Sequence, residues 1–193
     1  MTDESPRMAP SPRHQGVRKI SGFRTASAGV VRVDTPGSSN RSTRERTTRD
    51  GPSSSSTFSI HFSNIRGLSS NLSSVEHHLA SHLPNLFLLS ETQLSSNASP
   101  DPFNISHYNL ISRFRAKGGV CAYCNTNTSV ARLVDLESPN FDVLWLKICL
   151  STSTILICFC YCSPNSFDHS SFFENLTSCH ESLQSSHPHS EIL

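Results

Sequence analysis

Residues 85–94, NLFLLSETQL, decide the fold that this sequence predicts. The apolar run 86–89 is typical of a short buried strand, and Glu91 follows where that strand ends. Upstream, the alternating stretch 58–63 runs into Asn64, and a segment with helical spacing, 69–83, separates the two strands. The pattern predicts a β-α-β unit with Asn64 and Glu91 on one rim of a sheet, where α/β enzymes place their chemistry.

The chain divides into two parts by composition. Residues 1–57 carry ten Lys or Arg and five acidic residues, a net charge of +5, which leaves −4 for residues 58–193. The first part has one Phe and a run of Ser at 53–56, so it cannot bury enough apolar surface to offset the entropy of ordering. We predict a disordered Ser/Arg-rich tail over 1–57. Its basic residues either bind phosphate weakly or are merely solvated, and composition favours the second reading.

The chain shows no secretory or membrane signal. Its start lacks an apolar core segment, and the longest apolar stretch, 154–162, is far shorter than the roughly 20 residues of a membrane span. Seven cysteines are an odd number, which argues against a closed disulfide framework and favours a reducing compartment. We expect an intracellular protein that is not secreted, with the nucleus as one location.

The cysteine spacing favours packing over metal binding. Cys121 and Cys124 form a C-x-x-C, but both lie in a strand-like run with no second ligand pair nearby. Cys158, Cys160 and Cys162 recur at every second residue, which places them on one face of a strand, where Cys packs as a small hydrophobe. We expect both groups to be core residues.

The remaining pattern predicts strands followed by a helix. Strands are expected near 108–111, 120–123, 129–134, 143–150 and 155–161, the first two as a hairpin and the rest as an antiparallel run. The first helix carries Leu72, Val75, Leu79 and Leu83 on one face, with Ser69 or Ser70 as its N-cap. The second helix carries Phe172, Leu176, Cys179 and Leu183, with Asp168 or Ser170 near its N-cap, and residues 191–193 begin another strand.

Four motifs together resemble a known family. They are FSNIRGL at 62–68, NLFLLSETQL at 85–94, YNLISRFRAKGGVCAY at 108–123, and CYCSPNS at 160–166 followed by an amphipathic helix. In this order they resemble the endonuclease/exonuclease/phosphatase superfamily, and within it the endonuclease domain of non-LTR (LINE-type) retrotransposon polyproteins. The resemblance implies an α/β fold over 58–193, a truncated four-layered sandwich of two mixed β-sheets flanked by helices.

The resemblance also implies site residues. Glu91 and Asn64 would hold Mg²⁺ (or Mn²⁺), with Asn64 contacting the metal-bound water or a phosphate oxygen. Tyr161 would hydrogen-bond the phosphate during attack of water on a DNA phosphodiester, and the nick would prime reverse transcription. Taken singly, each residue is more often structural: a solvated acid, a turn former and a core edge. Their order along the chain reverses those odds.

Other polar residues are left open at this stage. Arg113, Arg115 and Lys117 contact the DNA backbone or simply solvate a loop, with even weight. His77 and His78 are expected on a polar helix face and His187 and His189 in a loop, and none is assigned to a metal.

The family's later motifs, Gly-Asp-Phe-Asn and Ser-Asp-His, are absent from the 193 residues, as are reverse transcriptase motifs. We therefore expect an N-terminal fragment of that domain, inactive as this chain, whose reverse transcriptase domain would lie downstream. Two alternatives stay open. One is a non-catalytic remnant that binds nucleic acid or protein through its basic tail, and the other is a superfamily phosphatase acting on lipid or small phosphates.

Overall fold

The computed structural model describes residues 57–163 and 169–193 and the backbone of residues 28–34. Two mixed β-sheets pack face to face with one helix outside each, so the predicted four-layered α/β sandwich is confirmed. None of the helices in these residues is both long and apolar enough to cross a membrane.

The first sheet has five strands in the order β1-β2-β3-β5-β4. They are β1 (Ala28–Asp34), β2 (Thr57–Asn64), β3 (Leu86–Ser90), β4 (Tyr108–Arg113) and β5 (Val120–Asn125). Helix α1 (Leu68–His82) connects β2 to β3, which pair in parallel as a β-α-β unit requires. The neighbours β4 and β5 form the expected antiparallel hairpin.

The second sheet has four strands in the order β6-β7-β8-β9. They are β6 (Ser129–Arg132), β7 (Asp142–Cys149), β8 (Thr154–Tyr161) and β9 (Glu191–Ile192). The first three are antiparallel, and β9 returns after helix α2 (His169–Ser186) to pair with β8 in parallel. This agrees with the predicted strand run and with the strand expected to begin at Glu191.

Strand periodicity sorts the apolar side chains into three clusters. Alternate residues of both sheets meet in a central cluster that includes Phe58, Leu88 and Leu144. The other face of the first sheet packs under α1, and the other face of the second packs under α2. The rims of both sheets are therefore held at a fixed separation by a continuous apolar interior.

Strand β1 lies inside the stretch for which we predicted disorder. Its sequence AGVVRVD is rich in β-branched residues, and it pairs antiparallel with β2 along seven residues. A short Val-rich segment can order by adding to an existing sheet edge, which overall composition does not reveal. Thr57, the last residue of the predicted tail, begins β2, and residues 1–27 and 35–56 lie outside the described part of the chain.

Both predicted helix starts need adjustment. Helix α1 begins at Leu68 and its N-cap residue is Gly67, which has no side chain to cap it. Ser69 and Ser70 therefore lie inside the first turn, and neither is the N-cap. The helix ends one residue earlier than its apolar spacing predicts, since Leu83 adopts a left-handed conformation before Pro84 and is 67% exposed. Helix α2 begins at His169, which places Ser170 inside the helix, and Asp168 lies outside the described residues.

Candidate active site

Asn64 and Glu91 lie at the same rim of the first sheet. In the parallel pairing of β2 with β3, Asn64 is opposite Ser90, so Glu91 comes one residue beyond it. The loops that follow stay together, because the amide of Ile65 donates to the Ser90 carbonyl at 3.1 Å and the amide of Gly67 to the Glu91 carbonyl at 2.7 Å. The adjacency expected from two strand ends is confirmed.

Tyr161 brings the second sheet to this rim. Its hydroxyl donates a hydrogen bond to Glu91 Oε1 at 2.7 Å, although 70 residues separate the two along the chain. Burial, followed by the neighbouring carboxylate, raises the pKa of Tyr161 to about 12. The phenol therefore stays protonated near neutral pH and acts as a hydrogen-bond donor.

The backbone around Glu91 is in an uncommon conformation. The backbone φ lies in the left-handed region, which residues other than glycine rarely adopt, at Arg66 (48°), Glu91 (57°) and Gln93 (52°). Such conformations persist where surrounding contacts over-determine them, and they concentrate at functional sites. Within the first turn of α1, Asn71 contributes one such contact by donating to the carbonyls of Ile65 and Gly67.

The Gly118–Gly119 turn packs against the residues that follow Glu91. Thr92 and Gln93 donate backbone hydrogen bonds to the carbonyls of Gly119 and Gly118 at 3.2 and 2.9 Å. A Cβ on Gly119, where φ is +81°, would lie 2.4 Å from Thr92 Oγ1. Only glycine fits such a position.

Asp142 is a further acid at this rim that no pattern in the sequence marks. It begins β7 directly opposite Tyr161, its Oδ2 accepts from the Gly119 amide at 3.1 Å, and its Oδ1 lies 2.8 Å from Arg115 Nε. Burial raises the pKa of Asp142, while the Gly119 hydrogen bond and then Arg115 oppose that shift. An Asp soon after a Pro-Asn turn looks like a turn former, so only the tertiary pairing shows its position.

The three predicted DNA contacts are not equivalent. Arg113 donates to the Phe141 carbonyl at 2.8 Å and pairs with Glu137, so its guanidinium is committed to the second sheet. Arg115 is likewise engaged by Asp142. Lys117 is exposed, and no described residue gives it a hydrogen bond or an ion pair. Of the three, Lys117 has its charge available to a ligand.

A groove of about 780 Å³ runs beside these residues. Its lining combines small polar side chains with four cationic ones and one acid, including Ser95, Ser112, Arg115, Lys117, Arg132 and Glu137. The buried Glu137 carboxylate accepts from Arg132 at 2.9 and 2.7 Å, which neutralises part of the positive charge. The groove therefore keeps a moderate excess of cationic groups.

The donor set at the rim fits a hard divalent cation. Asn64 Oδ1 is buried and has no hydrogen-bond partner among the described residues, and Glu91 offers a carboxylate at the same rim, one residue beyond Ser90. Mg²⁺ keeps several waters and is held by one or two protein oxygens, so a large ligand cage is not required. In the described residues, no group of three or more His, Cys, Asp or Glu side chains is arranged to hold a metal.

The cysteines behave as core residues, as expected. Cys121 packs under α1 and Cys124 packs between the sheets, so the C-x-x-C pair lies on opposite faces of β5. Burial raises the pKa of the Cys124 thiol to about 12 and also raises that of Cys121. Cys158, Cys160 and Cys162 all pack against the cluster under α2.

The prediction of a polar helix face for His78 is wrong. His78 is 2% exposed, and its Nε2 lies 2.8 Å from Nδ1 of His61 on β2. Its ring also stacks on His82, with centroids 4.4 Å apart. His77 is exposed, as expected. His61 on β2 faces α1 and contacts His78. The helix therefore buries a histidine that the apolar spacing of the sequence does not mark as buried.

Comparison with known proteins supports the fold. No family model and no curated protein matches the sequence. The 3′-5′ exonuclease NExo from Neisseria meningitidis matches in structure with a TM-score of 0.50 and 17% identity, over 69% of this chain and 56% of that one. The fold is that of known nucleases. At this identity the likeness concerns the fold alone.

Two other solved structures are similar at lower scores. The endonuclease domain of TRAS1, a telomere-specific non-LTR retrotransposon, has a TM-score of 0.48 at 12% identity, over 64% of this chain and 54% of that one. The AP endonuclease LMAP from Leishmania major has a TM-score of 0.44 at 16% identity, over 64% and 45%. The chain spans about half the length of the structures it matches.

Proposed function

We propose that this chain carries part of a Mg²⁺-dependent (or Mn²⁺-dependent) DNA endonuclease that nicks target DNA to prime reverse transcription of a non-LTR retrotransposon. One observation carries the proposal: Tyr161 of the second sheet donates to Glu91 of the first, at the rim where the buried oxygen of Asn64 has no hydrogen-bond partner among the described residues. Three residues that the motifs single out thus lie at one rim. The role would place the protein at DNA, in the nucleus, with a reverse transcriptase domain in the same polyprotein.

Each residue has a defined task in this proposal. Glu91 and Asn64 would hold the metal, which when bound supplies positive charge that stabilises the phosphodiester as negative charge develops on it. Tyr161 is kept protonated by burial and by Glu91, and when DNA binds its single O–H would turn from Glu91 to a phosphate oxygen at the same point. Asn64 can accept at Oδ1 and donate at Nδ2, so it can orient a water and a phosphate oxygen together.

Glu91 gives the direct test. With the chain extended through the family's Gly-Asp-Phe-Asn and Ser-Asp-His motifs, we expect Mg²⁺-dependent conversion of supercoiled plasmid to open circles. Glu91→Gln should slow nicking about a hundredfold or more, because the carboxylate that would hold the metal is lost, and with it the positive charge at the phosphate. The matched control is Glu181→Gln, an exposed glutamate on α2. Equal nicking by Glu91→Gln and the parent would contradict the proposal, and cleavage of inositol phosphates but not DNA would favour the phosphatase alternative.

The 193-residue chain itself offers a readout that needs no cleavage. We expect Mn²⁺ to broaden the NMR signals of the Asn64 side-chain amide in the parent and to leave them sharp in Glu91→Gln. For this chain we expect metal binding without nicking, since the Ser-Asp-His motif, whose His the resemblance implies as the general acid/base, is not among its residues. Broadening that Glu91→Gln leaves unchanged would mean that Glu91 does not hold the ion.

Lys117 should contribute to DNA binding. In a duplex-binding titration against salt, Lys117→Ala should reduce the salt slope by about one, as expected for one lost phosphate contact. Lys147→Ala is the control, because Lys147 lies on β7 with its Nζ 3.4 Å from His187 Nε2. Deleting residues 1–27, which keeps β1, tests the tail. Binding that this deletion abolishes, and that Lys117→Ala leaves intact, would favour the binding-remnant alternative.

A further inference from the structure

Asp142 and Tyr161 form the rim of the second sheet together. They are directly opposed in the antiparallel pairing of β7 with β8. Opposed residues project from the same face, with Cβ atoms roughly 4.5–5.5 Å apart. The side chain that meets Glu91 therefore has an acidic neighbour on its own sheet.

Asp142 is held by two contacts from the loop between β4 and β5, one hydrogen bond and one ion pair. The Gly119 amide donates to Oδ2 at 3.1 Å, and Arg115 Nε lies 2.8 Å from Oδ1. The Asp142 side chain is only 11% exposed, so both contacts are largely shielded from solvent. The carboxylate ties the loop between β4 and β5 to the second sheet.

Gly118 packs into the corner between Asp142 and Tyr161. A Cβ built on Gly118 would lie 2.4 Å from Asp142 Oδ2 and 3.4 Å from two ring carbons of Tyr161. The φ of Gly118 is +110°, a conformation that glycine tolerates best. The bare backbone of the turn thus lies against the carboxylate on one side and the phenol ring on the other.

We infer that Asp142 is a positioning residue for Tyr161, which holds the Gly118–Gly119 turn against the phenol ring and so keeps the hydroxyl on Glu91. Arg115 supports Asp142 and is assigned to this task rather than to DNA. The inference rests on the proposed function for its consequence in catalysis, but its geometry stands on contacts between the two sheets. A merely solvated acid would make neither contact.

The test uses the full 193-residue chain with ¹³C-labelled tyrosine at neutral pH. The ring and hydroxyl signals of Tyr161 report its hydrogen bond to Glu91. Asp142→Asn should displace these signals in the same direction as Glu91→Gln does. Tyr108 and Tyr123 are internal references, because their hydroxyls donate to carbonyls elsewhere, and their signals should stay in place.

Asp135→Asn, an exposed acid outside the strands, should leave all tyrosine signals unchanged. If Asp142→Asn alters only the Gly118 and Gly119 amide signals while Tyr161 stays as in the parent, Asp142 acts on the turn alone and the inference is overturned. If Asp142→Asn does not fold, Arg115→Gln takes its place. It should displace the Tyr161 signals partway, and unchanged signals overturn the inference. Because no cleavage is measured, failure here is distinct from failure to nick DNA.

Discussion

Gly119→Ala should lower the free energy of unfolding by about 3 kcal/mol, because the added Cβ meets fixed atoms on two sides. It would lie 2.4 Å from Thr92 Oγ1 and 2.7 Å from the backbone nitrogen of Arg115. The φ of +81° adds strain that any residue with a Cβ experiences. Urea unfolding followed by the fluorescence of Trp145, the only tryptophan in the sequence, measures the loss.

A double-mutant cycle identifies the cause of this loss. Thr92→Ala removes Oγ1, which has no hydrogen-bond partner among the described residues, and so relieves one of the two close contacts. Gly119→Ala combined with Thr92→Ala should therefore recover part of the stability, with the clash against Arg115 remaining. A loss below about 1 kcal/mol for Gly119→Ala alone would mean that the turn moves freely, contrary to its close packing.

Acid should destabilise the fold through His78. Its pKa is lowered from 6.5 to about 4, first by burial and then by the positive charges of His82, His61 and His77. Between those two pH values His78 binds a proton in the unfolded chain but stays neutral in the folded chain. The stability that depends on neutral His78 is therefore fully present above about pH 6.5 and is lost as the pH falls toward 4, by on the order of 3 kcal/mol.

His78→Gln should flatten this pH dependence, because glutamine keeps hydrogen-bonding capacity without titrating. His77→Gln is the matched control, since His77 is the exposed neighbour on the same helix and should keep most of the loss. Urea midpoints at pH 7.5 and pH 4.5 give the comparison. Equal acid sensitivity in the parent and His78→Gln would assign the effect to other groups.

The fold was predictable where local pattern and burial coincide. The run 86–89 is buried on both faces, and the segments around it keep clear strand or helix periods, so the β-α-β unit follows from sequence alone. Strand β1 does not follow, because its few Val residues matter only once β2 offers an edge. His78 does not follow either, since its burial depends on a partner from β2.

Some residues of the candidate site were likewise predictable from the sequence, and others were not. Asn64 and Glu91 follow from strand ends, because parallel neighbours must bring their carboxyl ends together. Arg113, Arg115 and Asp142 could not be assigned, since the partners of each lie 23 to 28 residues away and on the side of the other sheet. The sequence does not show whether a charged side chain is hydrated or is paired with a group from the other sheet.

The hydrogen bond between Tyr161 and Glu91 also sets when the site can form during synthesis. The two residues are 70 positions apart, so a nascent chain presents Glu91 well before its partner is translated. At bacterial to eukaryotic elongation speeds of about 5–20 residues per second, that interval lasts roughly 4 to 14 seconds. During that interval the Glu91 carboxylate is hydrated. The candidate site of the ribosome-bound chain is incomplete until the second sheet packs against the first.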